Sequence, residues 1–195
     1  MDSITRTKKS QKVTIVGAIV DFLLSIFKVI IGVIGNSGAL IADGVHSFSD
    51  LLTDWVTWYA AKQAGEAPDQ EHPYGHERFE TVATLGLSIF LAIIGTAIIF
   101  DAMGRLTNAG ALNHESWLIA AAGLSIASKE ALYWYTVTVA KNINSEMLKA
   151  NAWHHRSDAF SSVVVIIGIV GAVNGYYYLD SAAAIIVGIM IIYIG

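Results

Sequence analysis

Two stretches of the sequence carry the same metal-ligating side chains at the same spacing. Residues 42–50 read Ala-Asp-Gly-Val-His-Ser-Phe-Ser-Asp, and residues 150–158 read Ala-Asn-Ala-Trp-His-His-Arg-Ser-Asp. In each stretch a histidine precedes an aspartate by four residues, which places both side chains on one face of an α-helix. The two pairs supply two nitrogens and two oxygens, a sufficient set for a four-coordinate divalent ion. The candidate ligands are His46, Asp50, His154 and Asp158.

The segments that carry these ligands are strongly apolar. The chain of 195 residues is 54% hydrophobic, and its apolar residues come in runs too long for a soluble core. The sequence therefore predicts an all-α polytopic membrane protein, a bundle of six transmembrane helices. Ionisable side chains inside such helices are unfavourable, so a functional role is their default interpretation. The predicted spans are about 13–34, 39–62, 81–103, 116–139, 150–173 and 178–195.

The distribution of basic residues predicts the orientation of the bundle. Eight Lys and Arg residues fall on the segments assigned to the inner side and one, Arg105, falls on the outer loops. This asymmetry predicts that both termini are cytoplasmic, with residues 1–12 as a cytoplasmic segment and residues 13–195 as the six-helix domain. An uncleaved first helix is favoured over a signal peptide because further spans follow it.

The composition also limits the partners and the ligand chemistry. A net charge of −4 gives no basic field for nucleic acid, so no nucleic-acid partner is predicted. The chain has no cysteine, which leaves histidine and carboxylate as the ligands for any metal. Nitrogen and oxygen ligands in tetrahedral number suit Zn²⁺ and tolerate Fe²⁺ or Co²⁺, whereas Mg²⁺ and Ca²⁺ prefer shells made only of oxygen.

The predicted orientation makes the second and fifth helices antiparallel. The second runs from the outer to the inner side and the fifth runs back. In that arrangement His46 lies near Asp158, and Asp50 lies near His154. The two stretches are then related by a local two-fold axis in the membrane plane and can share one ion.

A hydrophilic loop, residues 63–80, contains a second set of candidate ligands. Asp69, His72 and His76 follow the spacing Asp-x-x-His-x-x-x-His. The loop would form a second metal site if it folded into a turn. Histidines in a polar loop more often contact only water, and the spacing alone leaves both interpretations open.

Other ionisable residues in the predicted spans favour structural roles. Asp21 and Lys28 lie seven residues apart on one face of the first span, which indicates pairing with each other or with another helix. Lys129 and Glu130 lie deep in the fourth span but point about 100° apart, so they cannot simply pair. Each is predicted to face the bundle interior and to form an ion pair with another helix.

Two other classes of function are weaker alternatives. Imidazoles on facing helices can ligate a haem iron axially, which would make the chain a membrane haem-binding protein. A carboxylate beside each histidine instead favours a bare divalent ion. An intramembrane metallopeptidase would carry His-Glu-x-x-His, and residues 76–80, His-Glu-Arg-Phe-Glu, lack the second histidine. No enzymatic activity is predicted.

Three stretches of the sequence strongly resemble the cation diffusion facilitator transporters. They are residues 38–50, residues 72–80 and residues 152–159, and the resemblance extends over all six spans in order and spacing. It implies a homodimeric metal/proton antiporter that exports zinc, iron, cobalt, cadmium or manganese, expected in a bacterial-type inner membrane. By position, the family's transport site corresponds to His46, Asp50, His154 and Asp158, and its cytoplasmic-loop site to Asp69, His72 and His76.

The sequence departs from the family pattern in two places. Family members usually continue past the sixth helix into a cytoplasmic metal-binding and dimerising domain, which is expected to be absent from this chain. The double histidine His154-His155 resembles a branch that includes iron as well as zinc carriers. Zn²⁺ is the favoured ion, and Fe²⁺, Co²⁺, Cd²⁺ and Mn²⁺ stay open. His155 is rotated about 100° from His154 and is assigned no ligand role.

Overall fold

The fold is a bundle of long helices. The computed structural model describes residues 3–64, 78–107 and 110–195, and no strand occurs in these ranges. The predicted all-α helical membrane fold is confirmed. The helices are α1 (Ser3–Gly35), α2 (Gly38–Ala64), α3 (Arg78–Thr107), α4 (Glu115–Ile143), α5 (Glu146–Val173) and α6 (Tyr178–Ile194).

The helices extend beyond several of the predicted spans. α1 begins at Ser3, about ten residues before the apolar run. The predicted span is shorter because hydropathy identifies only the part of a helix that lies in lipid. Among the described residues, three helices are long and apolar enough to cross a membrane: α1 from Lys8, α3 from Thr81, and α5. α6 is apolar but has only 17 residues. α2 and α4 are not among these three, and both hold buried ionisable side chains, as α1 and α5 do.

The helices pack mainly in three pairs: α1 on α2, α4 on α5, and α3 on α6. Small residues allow close approach where apolar burial gives no driving force in lipid. At Gly44 an added Cβ would lie 2.7 Å from Val29 Cγ2 and 3.0 Å from the Val29 backbone nitrogen. The missing side chain therefore lets α2 lie directly on α1.

The N-terminus of α2 is bound to α6 by a single carboxylate. Asp180 Oδ2 accepts hydrogen bonds from the backbone N–H groups of Gly38 at 2.7 Å and Ala39 at 3.4 Å. Ser37 Oγ donates to Asp180 Oδ1 at 2.5 Å and accepts from the Leu40 N–H at 3.2 Å. These bonds satisfy N–H groups that a helix start leaves unpaired, and the negative charge complements the helix dipole.

Candidate metal centre

α2 and α5 run antiparallel where they meet. Asp43 accepts hydrogen bonds from Ser161 Oγ at 2.9 Å and Ser162 Oγ at 2.8 Å. His46, one turn further along α2, lies beside Asp158, which is one turn back along α5. The predicted contact between His46 and Asp158 is therefore present in the structure.

Three candidate ligands converge at this crossing. His46, Asp50 and Asp158 each offer one ligand atom, and these atoms lie within 4.8 Å of one another. His46 Nδ1 and Asp50 Oδ1 are 3.7 Å apart, too far for a good hydrogen bond. Two ligands held at 2.0–2.1 Å around a tetrahedral ion would be separated by about 3.3–3.4 Å. The pair is therefore close to the spacing that a shared ion requires.

Asp50 has one oxygen without a partner. Its Oδ2 is buried and accepts no hydrogen bond from any residue that the structure describes. A buried polar atom left without a partner is unfavourable by about 1–3 kcal/mol. A cation bound between Asp50 and His46 would remove that penalty.

His154 lies at the edge of this group. Its Nε2 is 3.7 Å from Asp158 Oδ2, one turn away on α5, but its side chain is 44% exposed. It is not a member of the cluster formed by His46, Asp50 and Asp158. The structure thus brings three of the four predicted ligands together and places the fourth in contact with only one of them, Asp158.

A buried lysine bridges this cluster to α1. Lys129 Nζ lies 2.9 Å from Asp158 Oδ2 and 2.7 Å from Asp21 Oδ1. The predicted pairing of Lys129 with another helix is confirmed. A buried ammonium between two carboxylates compensates charges that would otherwise be strongly destabilising.

Glu130 does not face the bundle interior, so that part of its prediction is wrong, but its predicted ion pair with another helix is present, to Arg156 of α5. The Glu130 side chain is 38% exposed, it accepts a hydrogen bond from Trp134 Nε1 at 2.9 Å, and it lies 3.8 Å from Arg156 Nε. Adjacent helical positions point about 100° apart, and here only Lys129 of the two points inward.

Asp43 belongs to a separate and fully paired cluster. Lys28 Nζ donates to Asp43 Oδ2 at 3.0 Å, to the Asp43 carbonyl oxygen at 3.1 Å and to Ser47 Oγ at 2.7 Å. Because Ser161 and Ser162 also donate to this carboxylate, both of its oxygens are hydrogen-bonded. Asp43 therefore holds α1, α2 and α5 together and is not an available ligand.

The loop candidates Asp69, His72 and His76 lie outside the described residues. Their assignment as a second metal site stays a prediction.

The two acidic partners of Lys129 could not be identified from the sequence. The sequence predicts that it needs an acidic partner on another helix, but several aspartates in the spans qualify. The depth of two aspartates in the predicted spans would have narrowed the choice. Asp21 and Asp158 each lie about eight residues after the start of their spans, 13–34 and 150–173, and both spans are predicted to run antiparallel to the fourth. That depth brings both carboxylates to one ammonium.

The comparisons with known proteins agree with this architecture. A family model described as "Cation efflux transmembrane domain" matches residues 14–195. An uncharacterized transporter of Methanocaldococcus jannaschii is 38% identical over 184 residues, covering 94% of this chain and 65% of the relative. Metal tolerance protein C1 of Arabidopsis thaliana is 35% identical over 203 residues, covering 96% and 43%.

A further relative is the manganese efflux system protein MneP of Bacillus subtilis, 32% identical over 193 residues, covering 95% of this chain and 65% of the relative. The chain thus spans between 43% and 65% of the length of these three proteins. The matched residues include α1 from Thr14, the whole of α2 to α6, and both His-x-x-Ser-Asp stretches. The chain belongs to the cation diffusion facilitator family, and its residues 14–195 match the family's cation efflux transmembrane domain.

Proposed function

We propose that this chain forms the membrane part of an efflux transporter that exchanges a divalent transition-metal ion for protons by alternating access. The observation that carries the proposal is the buried convergence of His46, Asp50 and Asp158, with an oxygen of Asp50 free to bind a cation. His154 completes the ligand set if its side chain turns inward from its contact with Asp158.

The donor atoms favour a borderline ion over a hard one. An imidazole nitrogen among carboxylate oxygens suits Zn²⁺, Fe²⁺, Co²⁺, Cd²⁺ or Mn²⁺ better than Mg²⁺ or Ca²⁺. Zn²⁺ is the first choice from the tetrahedral ligand number. The names of two relatives, a metal tolerance protein and a manganese efflux system protein, support a transition-metal substrate. Mn²⁺ is therefore a second candidate.

Histidine ligands provide the coupling to protons. A metal-bound imidazole must be neutral, whereas a free imidazole, with a reference pKa of about 6.5, can take up a proton when the metal leaves. Protons entering from the outer side would displace the ion from His46 and reset the empty carrier. The resemblance to the family implies export, which would carry the ion from the side of both predicted cytoplasmic termini across a bacterial-type inner membrane.

A homodimer is the proposed assembly. The resemblance to the family supports it, and the metal site predicted at Asp69, His72 and His76 is a candidate for one of the dimer contacts. We expect a chelator to shift the purified protein towards monomer in detergent, as measured by light scattering after size exclusion. An oligomeric state indifferent to chelator would contradict a role for that metal in the dimer.

The transport proposal is tested with purified protein in proteoliposomes. An imposed pH gradient should drive uptake of Zn²⁺, and competition with Mn²⁺, Fe²⁺, Co²⁺ and Cd²⁺ ranks the ions. Absence of flux under the gradient would contradict antiport. A haem absorption band in the purified protein would instead favour the haem-binding alternative.

A further inference from the structure

A cavity of about 280 Å³ opens between α1, α2 and α5 at the end of the bundle that holds the N-terminus. Four of its lining side chains are strongly polar: Asp21, Asp54, Asn151 and His155. Asp21 also contacts Lys129, which in turn contacts Asp158. One ammonium group therefore separates this cavity from the cluster of His46, Asp50 and Asp158.

His155 is buried in the wall of the cavity with a ring nitrogen unused. The residue is 4% exposed, and its Nδ1 has no hydrogen-bond partner within the described part of the chain. The nearest acidic atom is Asp21 Oδ2, at 3.5 Å. That distance is close to the roughly 3.3–3.4 Å expected between two ligands of one tetrahedral ion with bonds of about 2.0–2.1 Å.

The other ring nitrogen already has a supporting contact. His155 Nε2 lies 3.5 Å from the side-chain amide of Asn151, one turn earlier on α5. The oxygen and nitrogen of an amide are interchangeable assignments, so the amide oxygen can accept from an Nε2–H. That tautomer leaves the Nδ1 lone pair directed at Asp21, which is how second-shell groups orient histidine ligands.

The two carboxylate oxygens of Asp21 contact different residues. Oδ1 is held by Lys129 at 2.7 Å, and Oδ2 faces His155. Gly17, on α1 with Asp21, leaves room for the imidazole of His155, since a Cβ added at Gly17 would lie 3.3 Å from His155 Nε2. The backbone of α1 is thus shaped to admit the imidazole ring beside Asp21.

The charges around Asp21 and His155 favour the binding of a divalent cation. The cavity and the adjoining cluster hold four carboxylates against one ammonium, a formal excess of three negative charges. Asp54 lies on the exposed rim of the cavity and extends this field outward. A cleft lined by one sign of charge concentrates the opposite ion. The carboxylates are Asp21, Asp50, Asp54 and Asp158.

We propose that Asp21 and His155 form a further divalent-cation site, distinct from the predicted loop site and occupied before the ion passes the Lys129 ammonium to reach His46, Asp50 and Asp158. The ligand class is a transition-metal ion of the Zn²⁺ type, bound by one nitrogen, one carboxylate oxygen and water. The passage of the ion from this site to His46, Asp50 and Asp158 rests on the proposed transport function. Binding at Asp21 and His155 stands without it.

The test is a Zn²⁺ titration of the purified protein in detergent. The starting protein carries Asp69→Ala, His72→Ala and His76→Ala to remove the predicted loop site, and His46→Ala with Asp50→Ala to remove the transport cluster. This background should still bind Zn²⁺. Adding Asp21→Asn or His155→Gln should weaken that binding by more than about tenfold, since even second-shell partners contribute about 10–100-fold.

Thr14→Val is the matched control. Thr14 lines the same cavity but lies seven residues, or about 10.5 Å, along α1 from Asp21, beyond coordination reach. This change should leave Zn²⁺ affinity unaltered. No Zn²⁺ binding in the background, or binding unaffected by both ligand variants, would overturn the proposal.

A second variant covers the case in which the ligand substitutions unfold the protein. Gly17→Ala leaves both ligands in place but pushes against the His155 ring, and it should weaken Zn²⁺ binding in the same background. Unchanged affinity with Gly17→Ala would count against the site. Proteoliposome flux by the unmodified protein is measured separately, so loss of transport and loss of this site are distinguishable.

Discussion

Asp43 and Asp50 lie seven residues apart on one face of α2, yet their surroundings differ. Asp43 accepts hydrogen bonds from Lys28, Ser161 and Ser162. Asp50 keeps one buried oxygen with no partner among the described residues. A buried acid whose oxygens are all hydrogen-bonded is part of the fold, whereas one left unsatisfied has capacity for a ligand. The paired cluster at Asp43 and the open cluster at Asp50 should therefore respond to substitution in opposite ways.

The largest effect is expected from substitutions in the open cluster. Asp50→Ala or Asp158→Ala should abolish metal transport, because each removes one of at most four ligands. Asp50→Ala should leave a folded, membrane-inserted protein, whereas Asp158→Ala should also lower the free energy of unfolding, because Lys129 then keeps only one of its two carboxylate partners, Asp21. Flux in proteoliposomes and thermal unfolding in detergent measure the two properties. Asp101→Ala, which removes an exposed acid paired with Arg105, is the control. Near-normal transport by either variant would contradict the assignment of Asp50 and Asp158 as metal ligands.

Substitution in the paired cluster should affect stability instead. Asp43→Ala leaves the Lys28 ammonium buried without its carboxylate, which is expected to reduce the free energy of unfolding by about 3–5 kcal/mol. Zn²⁺ affinity of the folded protein should change little. Thermal unfolding of Asp43→Ala is compared with that of the double variant Lys28→Met/Asp43→Ala, which should recover part of the loss. Unaltered stability in the single variant would show that the pairing is not structural.

The pH dependence of metal binding sharpens the description of the open cluster. Protons compete with the metal for the imidazole nitrogen, so metal affinity should fall as pH falls. The change in log affinity should be up to about two per pH unit if His46 and His154 both bind, and about one if only His46 does. Titrations between roughly pH 5.5 and 8 measure it. Affinity that is flat over this range would contradict proton exchange at the site.

The smallest effect is expected from the loop. Replacing Asp69, His72 and His76 together should alter activity but leave measurable transport, because the predicted transport ligands lie on α2 and α5. Initial rates in proteoliposomes are the measurement, with the intact loop as the reference. Complete loss of transport with normal Zn²⁺ binding at the open cluster would place the loop on the pathway.

Hydropathy and spacing predict much of this architecture. The apolar runs give the helices, and the repeated His-x-x-Ser-Asp stretches give the antiparallel contact of His46 with Asp158. Both are local patterns with a fixed helical period, so they can be interpreted without coordinates. The extension of α1 back to Ser3 is not predicted, because the residues before the apolar run have no such period.

The partners of the buried charges cannot be predicted in the same way. Asp43 and Asp50 occupy similar positions in the sequence, and only the packing of α1 and α5 decides that Lys28 and two serines reach one and not the other. The inward direction of Lys129 and the half-exposed position of Glu130 likewise depend on the rotation of α4. The sequence predicts no ligand role for His155, because the helical period gives its angle from His154 but not its neighbour on α1, Asp21.

The carboxylate of Asp180 fixes one end of α2 and so determines how that helix can tilt. Its bonds to Gly38, Ala39 and Ser37 hold the N-terminal end of α2 as a pivot. Asp50 lies twelve residues, or about 18 Å, along α2 from Gly38. A tilt of about 10° at the pivot would displace Asp50 by roughly 3 Å, close to a full ligand-to-ligand separation, with the pivot bonds intact. Asp43, at about 7.5 Å from the pivot, would move by little more than 1 Å. The same rigid rotation would therefore open the cluster at Asp50 and leave the one at Asp43 closed.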